Sequence, residues 1–494
     1  MRRPKHLGLL ISLSLIVIVA GVWGGMKLNQ SQDNKALTTL SLDSDAIQVR
    51  PEEGYDGFEG WGTSLAWWAN VLGQWSDQKK LDEVMDLVFD AEKGLGLNIV
   101  RYNIGGGEDP HIENNTLRPG GDVPGFKPEK GKWDWDADAG QRTVLLGALQ
   151  RGATIAEAFS NSPPYWMTVS GSVTGAVDGG NNLKDEYFDE FADYLTEVVK
   201  QYKERWGVTF QTLNPLNEPA SNWWKKGNIQ EGSHFSVDKQ MEIIQKVAES
   251  LQSKGITDTV ISGPDENSVD ETVDMLEGYD EATLNRLSQI NTHSYNGAKL
   301  EELRDFAQQN GKKLWMSEYG TGGSEPHNHQ DMSSVMELAE RITYDLRMLQ
   351  PAAWIYWQAI EDESANNNWG FIHSEFSEEA NYELTKQYYA MANFSRFIRP
   401  DSRIIPTDDG RTVAAYHEAT QQLTLVIRNE QSDKELIYDL TPFELNSTTA
   451  AVYRTSASAN LEESELPLYK NGLQINVEQQ SVTTIVISSV RLKE

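Results

Sequence analysis

Two glutamates stand in settings that suit proton transfer and nucleophilic attack. Glu218 lies in "LNPLNEPASNWW", between an asparagine and a proline, and Glu318 lies in "LWMSEYGTGG". Each closes a short apolar run where a strand should pass into a loop rich in Gly, Pro or Asn. One glutamate at a strand end is most often an ion-pair or capping residue. Two in matched settings, 100 residues apart, make a different case. Paired carboxylates can protonate a leaving oxygen and act at the carbon it leaves, the chemistry of glycoside hydrolysis.

That chemistry requires a scaffold that brings the two together. From Gly54 onward, strand-like runs alternate with amphipathic segments. The runs begin at Gly57, Leu97, Ala153, Thr209, Thr259, Ile290, Lys313 and Ala352. Between them, stretches such as "DEYFDEFADYLTEVVKQYKERWG" place apolar residues at three- and four-residue spacing and stop at glycine. Eight such units predict a (β/α)8 TIM barrel over residues 54–399 rather than a doubly wound open sheet. The Gly-rich "NIGGGED" lacks the spacing of a phosphate-binding fingerprint and reads as a loop. Glu218 then ends the fourth strand and Glu318 the seventh, across the barrel mouth, where catalytic groups of this architecture sit.

After "FSRFIRP" the helical period stops. Alternating runs such as "LTLVIRN" and "VTTIVISS" predict an appended antiparallel β-sandwich over residues 400–494. Residues 36–53 are also strand-like and are expected to join that sandwich. Residues 1–35 hold a basic start and an apolar run from about Leu7 to Gly25, close to the ~20 residues that span a bilayer. They read as a signal peptide or an N-terminal membrane anchor plus linker, which places the protein outside the cell, secreted or tethered to the surface.

Bulk properties narrow the partners. A formal net charge of −31 excludes a nucleic-acid footprint, and the absence of cysteine removes disulfides, thiolate metal sites and cysteine nucleophiles. "HNH" at His327–His329 lacks a third metal ligand, and "DWDADAG" lacks the closing glutamate of a calcium loop. Asp138 in the latter is expected to cap the next helix. No cofactor or metal is implied. The expected partner is a polysaccharide or oligosaccharide, bound by a monomer.

Several motifs in order, "GFEGWGTSLAWWA", "RYNIGGG", "FSNSPPYWMT", "NPLNEP", "THSY" and "SEYG", resemble glycoside hydrolase family 30, in its endo-β-1,6-galactanase-like branch. The resemblance covers nearly the whole chain after the N-terminal segment. Glu59 departs from it, standing where many relatives have glycine, and is expected to alter a turn. The family implies a retaining β-glycosidase in which Glu218 is the acid/base and Glu318 the nucleophile, with their carboxyl groups about 5–5.5 Å apart. It also implies that Asn217 donates to the sugar 2-hydroxyl, that Tyr295 hydrogen-bonds Glu318, and that His293 and Arg101 stand beside the nucleophile. Asn161, Trp166 and Glu108 fall where related enzymes touch substrate. Trp357 is expected to floor the reacting sugar, with Trp67, Trp68, Trp223 and Trp224 as walls, since sugar C–H faces pack on indole rings. β-1,6-Galactan is the expected substrate and β-1,6-glucan the enzymatic rival. A non-catalytic carbohydrate-binding surface protein is the rival of another class, and it would be indifferent to loss of Glu318.

Overall fold

The computed structural model describes residues 37–107, 117–322, 328–362, 369–376 and 381–493. Its centre is a closed barrel of eight parallel strands. They are β1 (Gly60–Ser64), β2 (Ile99–Asn103), β3 (Ile155–Phe159), β4 (Thr212–Asn214), β5 (Val260–Ser268), β6 (Leu287–Asn296), β7 (Lys313–Tyr319) and β8 (Ala353–Gln358). β8 pairs back onto β1, so no edge remains open and the doubly wound alternative falls away.

A helix follows each strand: α1 (Gln78–Phe89), α2 (Ala139–Gln150), α3 (Phe188–Trp206), α4 (Val237–Ser253), α5 (Val269–Gly278), α6 (Leu300–Gln309), α7 (Met332–Tyr344) and α8 (Lys386–Ser395). Their limits are written locally. α3 buries Phe191, Leu195, Val198 and Tyr202 along one stripe and ends at Gly207, whose φ of 70° favours a residue without a Cβ. Asp77, Ser268 and Asp331 cap α1, α5 and α7 by accepting backbone N–H groups of their first turns. Asp138 precedes α2 as expected but does not cap it. Its backbone is left-handed, at φ 52°, which turns the carboxyl inward to accept from Tyr102 and, at 2.7 Å, from Gln141 Nε2.

The barrel interior is layered. At the N-terminal end Ile99, Trp315, Ala353 and Ile355 form a small apolar cluster. Glu59 lies at this end, accepting from Lys313 Nζ at 2.5 Å and Trp315 Nε1 at 2.8 Å. The departure at Glu59 therefore ties down the start of β7, at the opposite end from the strand termini that carry Glu218 and Glu318. Above the apolar layer comes a charged one, built by register. Arg101 on β2 is level with Glu157 on β3, which is level with Thr212 on β4. Fully buried Glu157 accepts from Arg101 Nε (2.9 Å), Thr212 Oγ1 (2.7 Å), Ser262 Oγ (2.8 Å), Gln289 Nε2 (3.2 Å) and Asn291 Nδ2 (2.8 Å). A buried carboxylate is tolerable only with this kind of saturation.

Beyond the barrel, six antiparallel strands form a sheet in the order Arg403–Ile405, Thr412–His417, Gln422–Asn429, Ser481–Ile487, Thr449–Thr455, Glu462–Pro467. A second sheet joins Lys434–Asp439 to Gly472–Val477, with Ile47–Gln48 added in parallel. Val413, Ala415, Val426 and Val482 of the first sheet share one apolar cluster with the barrel helices. Asn393 of α8 also donates to Thr484 Oγ1 at 2.9 Å. The two regions thus bury a common interface. The apolar N-terminal run and Glu108 lie outside the described residues, and among those described no helix is long and apolar enough to cross a membrane.

Glu157→Ala would leave the Arg101 guanidinium short of a counter-charge in a dry layer. Its expected cost is about 3–5 kcal/mol of folding stability, read as a lower urea midpoint with an unchanged slope. A loss below about 1 kcal/mol would show that the layer does not depend on this carboxylate.

Candidate active site

The barrel opens, at the C-terminal ends of its strands, into a cleft of about 290 Å³. Glu218, Glu318, Asn217, Asn161, Tyr295, Trp67, Trp223 and Trp357 all line it. One oxygen of the Glu218 carboxylate, one of Glu318 and one ring nitrogen of His293 lie within 4.8 Å of one another. A larger hollow, about 1030 Å³, is lined by Pro51, Arg403, Tyr416 and Arg491, and none of its lining residues belongs to the barrel mouth.

Strand irregularities set these side chains. β6 pairs with β7 in register until a shift between Thr292 and His293, which brings His293 level with Glu318. The shift puts imidazole and carboxylate side by side. Three residues at the mouth hold left-handed backbone without being glycine: Trp67 (φ 68°), Glu218 (φ 47°) and Asp265 (φ 68°). Such conformations cost of order 1–3 kcal/mol each and persist where surrounding contacts enforce them. At Glu218 those contacts are its N–H, which donates to Asp265 O at 2.8 Å, and its own carbonyl, which accepts from Trp224 Nε1 at 3.0 Å.

The two carboxylates face different partners. Glu318 accepts from Tyr295 OH at 3.1 Å, lies 3.5 Å from an Arg101 terminal nitrogen, and lies 3.5 Å from His293 Nδ1. Glu218 accepts from Asn267 Nδ2 at 2.7 Å and from His293 Nδ1 at 3.2 Å. Behind them Asp265 receives Arg101 at 2.5 Å and Ser317 Oγ at 2.5 Å, and sits 3.3 Å from His293 Nε2.

The electrostatics follow from this packing. Burial opposes ionisation of Asp265, but Arg101 and His293 outweigh it and hold the carboxyl down at about 2. Burial likewise disfavours the His293 cation, yet Glu318 and Asp265 raise it well above its ordinary value, so the ring is an imidazolium. The Glu318 carboxyl is raised to about 7 by burial first, with Glu218 adding and His293 and Arg101 opposing.

Some expected residues sit elsewhere than the sequence suggests. Arg101 and His293 are fully buried behind the carboxylates and do not line the cleft, so they act on Glu318 and Asp265 rather than on a ligand. Trp166 donates Nε1 to Lys127 O at 2.8 Å and packs edge-on to Tyr187, away from the cleft lining. Trp68 and Trp224 are buried core residues; Trp68 donates to Ser64 O at 2.9 Å. Their neighbours Trp67 and Trp223 line the cleft instead. Sequence reasoning passed over Glu157, Asp265 and Asn267. The signals were there: a charged residue inside the apolar run "ATIAEAF", and three consecutive polar residues closing "TVISGPDEN".

Residues 44–307 match the model of O-glycosyl hydrolase family 30. An endo-β-1,6-galactanase of Hypocrea rufa is 32% identical over 83% of this chain and 85% of its own. An exo-β-1,6-galactobiohydrolase of Bifidobacterium longum subsp. longum is 25% identical over 82% of this chain, which spans 36% of that longer protein. Among solved structures, a conserved exported protein from Bacteroides fragilis superposes with a TM-score of 0.76 at 22% identity, over 90% of this chain and all of that one, a likeness of fold. The family match over half the chain, and a relative matched along most of its length, carry one conclusion: the chain belongs to O-glycosyl hydrolase family 30 and is a glycosidase.

Proposed function

We propose that this glycosidase hydrolyses β-1,6-linked galactan, such as arabinogalactan side chains, with retention of configuration, outside the cell. The observation that carries the mechanism is the approach of the two carboxylates, oxygen to oxygen within 4.8 Å. An inverting pair stands about 6.5–9.5 Å apart to admit a water, whereas a retaining pair stands about 5–5.5 Å apart. The substrate is supported by the activities of the two relatives, both directed at β-1,6-linked galactose units. The extracellular setting is supported by the basic and apolar N-terminal sequence and by the exported description of the Bacteroides fragilis neighbour.

Each group has a part. Glu318, served by Tyr295, His293 and Arg101, is the carboxylate whose ionised form is best satisfied, and it attacks the anomeric carbon. As the C–O bond to the leaving sugar breaks, Glu218 gives its proton to that oxygen. A water then attacks the glycosyl–Glu318 ester, Glu218 takes the proton back, and Glu318 leaves as carboxylate. Asn217, whose buried Oδ1 has no partner among the described residues, offers donor and acceptor to the sugar 2-hydroxyl. Trp357, edge-on to Trp67 with ring centres 5.0 Å apart, supports the ring of the reacting sugar.

Because Glu318 must be ionised to attack, activity is lost as it takes up a proton. The expected profile of kcat/KM against pH falls on the acid side with a midpoint near the raised Glu318 value of about 7. A flat profile from about pH 5 to 8, measured on a short soluble substrate, would contradict it.

The substrate is tested by product analysis on linear β-1,6-galactan beside linear β-1,6-glucan. Soluble galacto-oligosaccharides from the first, at a rate at least about a hundredfold above release from the second, are expected. Cleavage of the glucan with the galactan left intact would overturn the assignment.

A further inference from the structure

The cleft has two aromatic ends of opposite character. At one end Trp67 and Trp357 are closed in, 3% and 9% exposed, and Arg118 packs over the faces of Trp67 and Trp369. At the other stands Trp223, 42% exposed yet part of the cleft lining. An indole that both lines the cleft and keeps its face open is free to stack on a sugar.

Trp223 belongs to the segment that carries Glu218. Four residues separate them, and the segment is tied down just past Trp223 at Trp224, whose Nε1 donates to Glu218 O. Trp224 is itself clamped: a Cβ on Gly232 would fall 2.1 Å from its ring, and one on Gly175 would fall 2.2 Å from its backbone. Trp223 rests against Trp224 with ring centres 6.0 Å apart, at 63°. The loop after β3 braces the same segment through a bridge between Ala176 and Lys225 and a second between Asn181 and His234. Trp223 is thus a rigidly mounted platform, fixed through one indole to the backbone of Glu218.

A general acid stands next to the oxygen it protonates, which belongs to the leaving sugar. We infer that Trp223 forms the subsite for the leaving sugar, stacking the residue on the reducing-end side of the scissile bond. This rests on the reading of Glu218 as proton donor. The exposed face of Trp223 suits a leaving group that is itself a sugar rather than a small aglycone.

Two substrates separate this role from any other: a β-1,6-galactotetraose, whose leaving group is a sugar, and β-galactobiosyl fluoride, whose leaving group is one atom. In Trp223→Ala, kcat/KM for the tetraose is expected to fall about tenfold or more, the worth of one lost aromatic stack. For the fluoride it is expected to fall by no more than about twofold, which also reports that the variant is folded. Trp223→Tyr is expected to recover most of the loss. Equal losses on both substrates, or none on either, would overturn the leaving-sugar assignment. Failure of the unaltered enzyme to cleave the tetraose would instead overturn the substrate reading beneath it.

Discussion

The site depends on one buried cation. Arg101 reaches from β2 into the dry barrel and meets Glu157, Asp265 and Glu318, on β3, β5 and β7. A guanidinium cannot shed its proton to escape burial, so carboxylates must gather round it. They come from strands that are distant in sequence and brought level by parallel pairing. Arg101 therefore both closes the charged layer and orients the floor beneath Glu318. His293 plays the second cationic part, spanning Asp265 on one nitrogen and the Glu218–Glu318 pair on the other.

Two cations facing four carboxyls leave an excess of negative charge in low dielectric. Burial and that excess raise the Glu318 carboxyl to about 7, and the donors around the two glutamates differ. Glu318 faces a guanidinium, an imidazolium and a phenol, whereas Glu218 faces an amide and shares the imidazolium. The asymmetry suits the proposed division of roles, in which Glu318 attacks and Glu218 donates the proton.

The barrel was legible because its pattern is long: eight strand-like runs separated by helical stretches admit few architectures. Glu218 and Glu318 were legible because each closes such a run. The roles of Arg101 and His293 were only half legible. Their nearness to Glu318 could be anticipated, but burial behind it depends on strand register and on the shift at Thr292–His293. Asp265 and Asn267 escaped notice for the same reason, since β5 and β6 pair with several register shifts that no periodicity reports. In the pairs Trp67–Trp68 and Trp223–Trp224 composition is identical and only direction differs. A left-handed turn at Trp67, and the clamp of Gly232 on Trp224, decide which indole meets the cleft.

The central claim, that Glu318 becomes covalently bonded to sugar during turnover, is open to direct trapping. A 2-deoxy-2-fluoro-β-galactosyl fluoride slows both steps by destabilising the oxocarbenium-like transition state, while the fluoride leaves readily without an acid, so the ester accumulates. The account predicts a mass increase of one fluorosugar per chain, mapped after proteolysis to the peptide that holds Glu318. A label on any other residue, or inactivation-free turnover of the fluorosugar with no adduct, would contradict it.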